Sequence, residues 1–236
     1  MEDQKKVLVT GASGALGAPV VARLLKDDWN VYALLRSDKA VAEIKGRYRE
    51  ISTGTLSFLS GDVTKAGDVE RAVHEMGSIS ALVHLAGGFT GAGTMAAQDP
   101  EVFDQLFNLN TRSAFLLLRA ILPVMKDAGG GAIVTIGAKP AVHPGAVNAV
   151  YAASKAALIN LTLSAAEEGR PHQVRANVIV PAVIRTEANE KWAASEKDIE
   201  KWTPPDDIAG AISWLISAEG KPVTGTVIPM YNRIPT

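Results

Sequence analysis

Short apolar runs alternate along the chain with longer stretches whose apolar residues recur every three or four positions. Seven short runs rich in Val, Ile and Leu predict β-strands at Val7–Thr10, Val31–Leu35, Leu56–Ser60, Ala81–Leu85, Ala132–Ile136, Val174–Val180 and Thr224–Met230. Five stretches between them predict helices at about Ala15–Lys26, Ala66–Glu75, Val102–Lys126, Val150–Glu168 and Ile208–Ile216. Strands that alternate with helices form a parallel sheet through right-handed crossovers. The pattern predicts a doubly wound α/β fold with a seven-stranded parallel sheet and helices on both faces.

No repeat, low-complexity tract or linker divides the 236 residues, so we expect one domain spanning 1–236. The least regular stretch runs from Thr186 to Pro205 and is mostly polar, with two tryptophans, Trp192 and Trp202. An irregular segment of that length in a compact domain is commonly functional. We interpret residues 186–205 as a substrate lid.

Charge and cysteine content narrow the classes of partner. The 24 basic and 25 acidic residues give a net charge of -1, which does not favour nucleic acid or an anionic membrane. The chain has no cysteine, which excludes disulfides, thiolate metal sites and a thiol nucleophile, and we expect no metal site. Residues Met1 to Lys6 are charged, and no run of eighteen apolar residues occurs. We expect a cytoplasmic protein that acts on a small molecule.

A glycine-rich turn follows the first strand and leads into the first helix. Glycines there allow positive φ and close approach of the backbone, and a helix N-terminus offers free N–H groups to an anion. In this position the turn is typical of the pyrophosphate site of a Rossmann-type dinucleotide-binding domain. The candidate binding residues are Gly11, Ser13, Gly14, Ala15, Leu16 and Gly17.

The end of the second strand bears on which dinucleotide binds. NAD-specific sites place an acidic residue about 20 positions beyond the glycines, whereas an arginine can meet the 2′-phosphate of NADP. This strand ends in Leu35-Arg36-Ser37, without a carboxylate. The Arg36 guanidinium and the Ser37 hydroxyl could both donate to that phosphate. We predict NADP(H) over NAD(H), the alternative being that Arg36 is a solvated arginine.

Tyr151 and Lys155 are the candidate proton-handling pair. They lie four residues apart in a predicted helix and therefore on one face of it. A nearby ammonium favours a phenolate, so we expect Lys155 to lower the pKa of Tyr151 from its ordinary value of about 10. Tyr151 could then give a proton to a substrate that accepts hydride, or take one in the reverse reaction.

The glycine turn and this pair together resemble the short-chain dehydrogenase/reductase family over nearly the whole chain. The resemblance implies that Tyr151 and Lys155 are catalytic and that Asn110 supports a relay water. It further implies cofactor contacts from the residues after the third, fourth and sixth strands, namely Asp62, Val63, Ala86, Gly87, Gly88, Pro181, Val183 and Thr186. Long helices commonly pair between subunits in this family, which implies a homodimer or homotetramer.

One departure from the family pattern concerns the catalytic serine. It normally lies about a dozen residues before the tyrosine, where this chain reads Gly137-Ala138-Lys139. That tripeptide is similar to the dihydropteridine reductase branch, as are Gly14–Gly17, Ala86–Phe89 and Trp202–Pro204. The resemblance implies a quinonoid dihydropterin as substrate, because its reduction does not need a ketone oxygen held by serine. Phe89 or Trp192 could stack on such a flat ring.

Several alternatives remain open at this point. A ketone or a 3-oxoacyl thioester is a second substrate class. A different functional hypothesis is that the protein is not an enzyme but an NADP(H)-binding sensor or scaffold. Around the position of the absent serine, Ala138, Lys139 and His143 are candidate substrate contacts. His84, inside a predicted strand, is expected to be structural.

Overall fold

A computed structural model of the chain describes residues 5–48 and 53–235. All seven predicted strands are confirmed to within two residues at each end, as β1 Lys6–Thr10, β2 Asn30–Leu35, β3 Thr55–Ser60, β4 Ala81–His84, β5 Gly131–Ile136, β6 Val174–Pro181 and β7 Thr226–Met230. Every neighbouring pair is parallel, in the order β3-β2-β1-β4-β5-β6-β7. The order reverses between β1 and β4, which is where a ligand crevice opens at the carboxyl edge of such a sheet.

The helices are α1 Gly17–Lys26, α2 Asp38–Arg47, α3 Ala66–Met76, α4 Pro100–Leu106, α5 Ser113–Asp127, α6 Lys139–Val142, α7 Ala149–Gly169, α8 Glu187–Glu190, α9 Glu196–Ile199 and α10 Pro205–Ile216. The apolar sides of α1, α2 and α10 cover one face of the sheet, and those of α3, α5 and α7 cover the other. The prediction of helices on both faces is therefore confirmed.

Two helical features differ from the predicted pattern. Helix α2 was not predicted, and its mostly polar sequence follows Ser37, whose hydroxyl accepts the N–H of Ala40 and so caps the helix. The predicted middle helix is interrupted by a π-helical turn at Phe107–Arg112, between α4 and α5. Such turns shift the side chains that follow and occur often at functional sites. This one contains Asn110.

The segment Ala149–His172, which begins with α7, is long and apolar enough to cross a membrane by length and composition. Its buried side packs on the sheet through Leu158, Ile159 and Ala166, and Lys155 on the same helix is also buried. These contacts are those of the core helix of a globular domain. Packing thus explains the hydropathy of the segment.

The segment 186–205 is more regular than its polar sequence indicated, because it contains α8 and α9. Its two ends meet where Ile184 pairs with Thr203 in a parallel bridge. The Thr203 N–H donates to the Val183 carbonyl and the Arg185 N–H donates to the Thr203 carbonyl, both at 2.9 Å. The Thr203 hydroxyl also donates to the carbonyl of Met230 on β7, at 2.8 Å. The base of the segment is therefore fixed to the sheet, and its role as a lid stays a prediction.

Candidate active site

A cavity of about 280 Å³ opens at the carboxyl ends of β1, β2, β3 and β4. It is lined by Gly11, Ser13, Gly14, Leu34, Leu35, Arg36, Gly61, Asp62, Val63, Leu85, Ala86, Gly87 and Leu109. The structure thus brings the glycine turn, Arg36, Asp62 and the Ala86-Gly87 segment together, as the sequence predicted. Ala15, Leu16 and Gly17 complete the turn and begin α1.

The glycine turn has the backbone geometry that an anion cradle needs. Gly11 has φ +72°, and a Cβ built on it would lie 2.7 Å from the Ala86 nitrogen, so a side chain there would collide with the end of β4. Helix α1 follows without a side-chain cap at Leu16 and without an acidic residue in its first turn. Its positive end and uncapped N–H groups therefore remain suited to a pyrophosphate.

Arg36 and Asp62 form the charged side of this cavity. The Asp62 carboxylate accepts from the backbone N–H and the hydroxyl of Thr64, at 2.9 Å and 2.7 Å. Burial alone would raise the pKa of Asp62, but the bonds from Thr64 and the positive charges of Arg36 and Lys65 lower it below its ordinary value. Arg36 itself is exposed. It lies close enough to act on Asp62 and can also reach a phosphate in the cavity.

Tyr151, in the first turn of α7, lies beside the exposed ring of Phe89. The two ring centroids are 5.1 Å apart at an interplanar angle of 85°, which is an edge-to-face contact. Among the described residues, none forms a hydrogen bond with the Tyr151 hydroxyl. Phe89 is 54% exposed and so offers an aromatic surface next to that hydroxyl.

Lys155 lies one turn further along α7 and is only 6% exposed. Its ammonium donates to the carbonyl of Ile136 at the end of β5, at 2.9 Å. A Cβ built on Gly87 would lie 2.9 Å from the Lys155 Nζ and 2.8 Å from the Asn110 Oδ1. A side chain at position 87 would therefore displace Lys155 or Asn110, since both side chains pack against the segment that follows β4.

The expected effect of Lys155 on Tyr151 was wrong for the protein without a bound dinucleotide. Burial raises the pKa of Tyr151 to about 12, because a phenolate would lose its hydration there. Burial also lowers the pKa of Lys155 to about 8. The lysine directs its ammonium to the Ile136 carbonyl. Tyr151 is therefore a phenol at physiological pH and is suited to giving a proton.

Asn110, in the π-turn, is completely buried and clamps two parts of the site together. Its Oδ1 accepts the N–H of Gly88 at 2.9 Å, and its Nδ2 donates to the Gly88 carbonyl and to the Ser154 hydroxyl, both at 3.0 Å. The Ser154 hydroxyl in turn donates to the backbone carbonyl of Tyr151 at 2.8 Å. Asn110 thus fixes both the end of β4 and the start of α7. Its relay-water role stays a prediction.

Three other candidate substrate contacts make interactions elsewhere in the structure. Lys139 donates to the Pro235 carbonyl and lies over the Tyr231 ring, while His143 contacts the edge of that ring. Trp192 is 60% exposed and packs on Trp202, at 4.9 Å between ring centroids. Within residues 5–48 and 53–235, no hydrogen bond or ring contact connects these three side chains to Tyr151, and their substrate roles stay predictions.

The structure places the rest of the predicted residues as follows. Ala138 is buried between β5 and α6, with no hydroxyl at the serine position. Pro181 ends β6, and the Val183 carbonyl accepts from Thr203. The Ser37 and Thr186 hydroxyls cap α2 and α8 but keep a proton to donate.

The sequence reasoning missed Ser154 and the Ile136 carbonyl, although Ser154 stands three residues after Tyr151 and therefore on the same face of α7.

A larger cleft of about 430 Å³ lies at the opposite edge of the sheet, around the beginnings of β1, β5 and β6. Arg175 there donates to three backbone carbonyls, which explains its orientation. In the described part of the chain, no group of three or more His, Asp or Glu side chains could hold a metal ion.

Comparisons with known proteins agree with this geometry. A family model described as short chain dehydrogenase matches residues 5–197. The chain belongs to the short-chain dehydrogenase/reductase family. Human dehydrogenase/reductase SDR family member 4 is 30% identical in an alignment that covers 98% of this chain and 88% of the human protein.

Solved structures of the family superpose closely. A short-chain type dehydrogenase/reductase from Mycobacterium ulcerans matches with a TM-score of 0.91 and 25% identity, covering 99% of this chain and 90% of that one. ElxO with NADP bound matches with a TM-score of 0.90 and 25% identity, covering 96% of each chain. As a short-chain dehydrogenase/reductase, the protein is an NAD(P)-dependent oxidoreductase that acts on a small molecule.

Proposed function

We propose that this enzyme is an NADPH-dependent reductase in which Tyr151 is the proton donor. The observation that carries the proposal is the Tyr151 phenol, whose hydroxyl has no hydrogen-bond partner among the described residues. Its ring lies beside the exposed ring of Phe89, one helical turn before Lys155, whose Nζ lies next to Gly87 in the lining of the dinucleotide cavity. A non-catalytic sensor would not need a buried lysine one helical turn from such a phenol. The dinucleotide supplies the hydride when it is bound.

The residues of this chain handle the proton. Tyr151 gives a proton from its Oη to the reduced substrate, and a phenolate remains in a site with little water. Once a dinucleotide is bound, the positive charge of Lys155, one helical turn away, would favour that phenolate. A proton from solvent then restores the phenol. Asn110 and Ser154 hold the first turn of α7, so the Tyr151 Oη keeps its place through the cycle.

A planar conjugated heterocycle such as a quinonoid dihydropterin is the substrate we propose. Phe89 presents an aromatic surface next to Tyr151, which suits an apolar flat ring. Ala138 offers no hydroxyl to hold a ketone oxygen, whereas ring reduction can proceed with one proton donor. The loop residues 86–98 carry no charged side chain. The chemistry of the site therefore favours an uncharged ring.

The test follows NADPH absorbance while the protein is mixed separately with a quinonoid dihydropterin, an aromatic ketone and a 3-oxoacyl thioester. We expect oxidation of NADPH above background with the dihydropterin and slower oxidation with the other two. If none of the three increases NADPH oxidation, the reductase assignment for these substrate classes fails. Faster turnover of the ketone than of the dihydropterin would mean that the substrate is a carbonyl compound and not a heterocycle.

Ala138→Ser tests the reason for this substrate order. The variant restores a hydroxyl donor at the position where the family has its serine, so ketone reduction should rise. A well-placed donor changes kcat by about 100-fold or more, and we expect a gain of at least about tenfold in kcat/KM for the ketone. Dihydropterin turnover should change little. Ala138→Gly is the matched control, and an equal gain in both variants would show that the hydroxyl is not the cause.

Substitution of Arg36 tests the cofactor preference, because the predicted preference for NADP(H) over NAD(H) rests on that side chain. Arg36→Asp should weaken NADPH binding by about 10- to 100-fold, the size of a lost charge-assisted contact, and should improve NADH binding. Lys26→Asp makes the same charge change in the last turn of α1, away from the glycine turn, and is the control. Fluorescence titration with both dinucleotides measures the effect. Equal affinity of the wild type for NADH and NADPH would contradict the preference.

We also propose that the enzyme forms a homodimer or homotetramer through α5 and α7. Phe115 on α5 is 48% exposed, although it lies in an apolar stretch of the helix. It borders a shallow cleft with Leu118, Leu122, Pro123 and Leu161. An exposed apolar face of this kind supports pairing between subunits.

A further inference from the structure

The imidazole of His84 is buried at the end of β4 and makes a hydrogen bond through each ring nitrogen. Its Nδ1 lies 2.7 Å from the Thr10 hydroxyl oxygen at the end of β1, and its Nε2 lies 3.2 Å from the Ser113 hydroxyl oxygen at the start of α5. The expectation that His84 is structural is consistent with these bonds. They also connect the glycine turn to the helix that carries Asn110.

The donor in each of these hydrogen bonds can be assigned, because each hydroxyl has only one proton to donate. Ser113 donates its proton to the Leu109 carbonyl at 2.5 Å, so it can only accept from His84. The Nε2 of His84 must then carry the proton, and Nδ1 accepts from the Thr10 hydroxyl. The Thr10 oxygen in turn accepts the Ala86 N–H at 3.3 Å. One neutral tautomer satisfies every partner.

Burial, together with a nearby positive charge, keeps this imidazole neutral. Burial and the positive charge of Lys155 lower the pKa of His84 to about 3. An imidazolium would therefore not form near neutral pH. A neutral His84 therefore adds no second positive charge near the buried ammonium of Lys155. That ammonium lies next to Gly87, just beyond the end of β4.

This series of hydrogen bonds ends at the Leu109 carbonyl, next to a residue that matters for the reaction. Leu109 belongs to the π-turn, its side chain lines the dinucleotide cavity, and the next residue is Asn110. Anchoring of the Leu109 carbonyl by Ser113 fixes the turn from which Asn110 reaches Gly88 and Ser154. The bonds thus run from Thr10, below the glycine turn, to the backbone of Tyr151.

We propose that His84 is a positioning residue. As a neutral Nε2–H imidazole it holds the π-turn through Ser113, and thereby keeps Asn110 on Gly88 and on Ser154 behind Tyr151. The consequence for turnover rests on the proposed reductase function, whereas the consequence for the position of Asn110 does not. The two are tested separately.

The first measurement needs no substrate. Nitrogen NMR of the protein labelled with ¹⁵N-histidine should show one of the four histidines as a neutral Nε2–H tautomer between about pH 5 and 8, where an ordinary histidine titrates. The signal is assigned to His84 by its loss in His84→Asn. An Nδ1–H tautomer, or a protonated ring at pH 7, would overturn the proposal.

The second measurement follows hydrogen exchange of the Gly88 amide, which donates to Asn110. Ser113→Ala and His84→Asn both remove the bond through Nε2, so Gly88 protection should fall about tenfold, the size expected for one buried hydrogen bond. His84→Gln places an amide N–H near the Nε2 position and should retain most of the protection. The Gly137 amide, which donates to Ile179 at 2.8 Å, reports general destabilisation and should not change.

A merely structural histidine would give a different pattern. Loss of packing would lower protection of Gly88 and Gly137 together, whereas a positioning role affects Gly88 selectively. If His84→Asn does not fold, Ser113→Ala can still refute the proposal, since it leaves the imidazole in place. Because Ser113→Ala also removes the bond to the Leu109 carbonyl, a loss of protection in that variant counts as support only alongside the same loss in His84→Asn. Unchanged Gly88 protection in Ser113→Ala would overturn the proposal.

Kinetics then test the catalytic consequence with the quinonoid dihydropterin and NADPH. Ser113→Ala should lower kcat by about tenfold, because the bond acts on the proton donor through Asn110 and Ser154. The change in KM for NADPH should be smaller, although Leu109 also lines the cavity. A rise in KM at constant kcat would overturn the link to Tyr151. If the wild type reduces no substrate, the reductase proposal fails, and the exchange data still decide the position of Asn110.

Discussion

Replacement of Tyr151 by phenylalanine is expected to remove turnover almost completely. The substitution deletes one oxygen, the proton donor beside Phe89, and a positioned general acid contributes about 100- to 10,000-fold to a rate. NADPH binding should change little, because in the described structure the hydroxyl has no hydrogen-bond partner whose position depends on it. Stopped-flow measurement of kcat and fluorescence titration of NADPH separate the two effects.

Tyr32→Phe is the matched control for this variant, since it deletes the same atom from strand β2. It should leave kcat and NADPH affinity close to those of the wild type. Full activity of Tyr151→Phe would mean that another group gives the proton. Loss of NADPH binding in that variant would mean that the tyrosine holds the dinucleotide instead.

Lys155→Met is expected to lower activity and to raise stability. The charged amine in the folded protein costs about 3 kcal/mol, since its pKa is lowered from 10.5 to about 8. The lost hydrogen bond to the Ile136 carbonyl opposes this by about 1 kcal/mol. Below pH 8 the free energy of unfolding should therefore rise by about 2 kcal/mol. Turnover and NADPH affinity should both fall, because the phenolate and the crevice lose their cation.

The pH dependence of this stability difference has a defined sign. The folded-state pKa of Lys155 lies below the unfolded value, so between pH 8 and 10.5 the unfolded chain binds more protons. The wild type therefore regains stability over that range, and its difference from Lys155→Met closes. Urea unfolding of both proteins at pH 7 and at pH 10 measures this difference in stability. Lys26→Met, at an exposed position, is the control, and a Lys155→Met protein less stable than wild type at pH 7 would contradict the argument.

Most of the sheet could be predicted from the sequence because its strands are buried on both faces and read as continuous apolar runs. Helix α2 was missed because its sequence is polar, and its one clear signal, Ser37 as N-cap, was assigned to the cofactor. The π-turn was missed because its hydrogen bonds span five residues, whereas the pattern that predicts helices has a period of 3.6.

The composition of the site could be predicted, but its electrostatics could not. The sequence placed Tyr151 and Lys155 on one helical face. Burial shifts the pKa of both groups, and the residues packed around them, such as Gly87 beside the Lys155 ammonium, lie far away in the chain. Periodicity and spacing carry no information about them.

The bridge between Ile184 and Thr203 has a consequence for how this segment tolerates change. Residues 186–202 leave and re-enter the fold through one hydrogen-bonded neck, so their length and sequence can vary while β6 and β7 keep their register. Insertions or deletions between these two residues should therefore cost the sheet little stability.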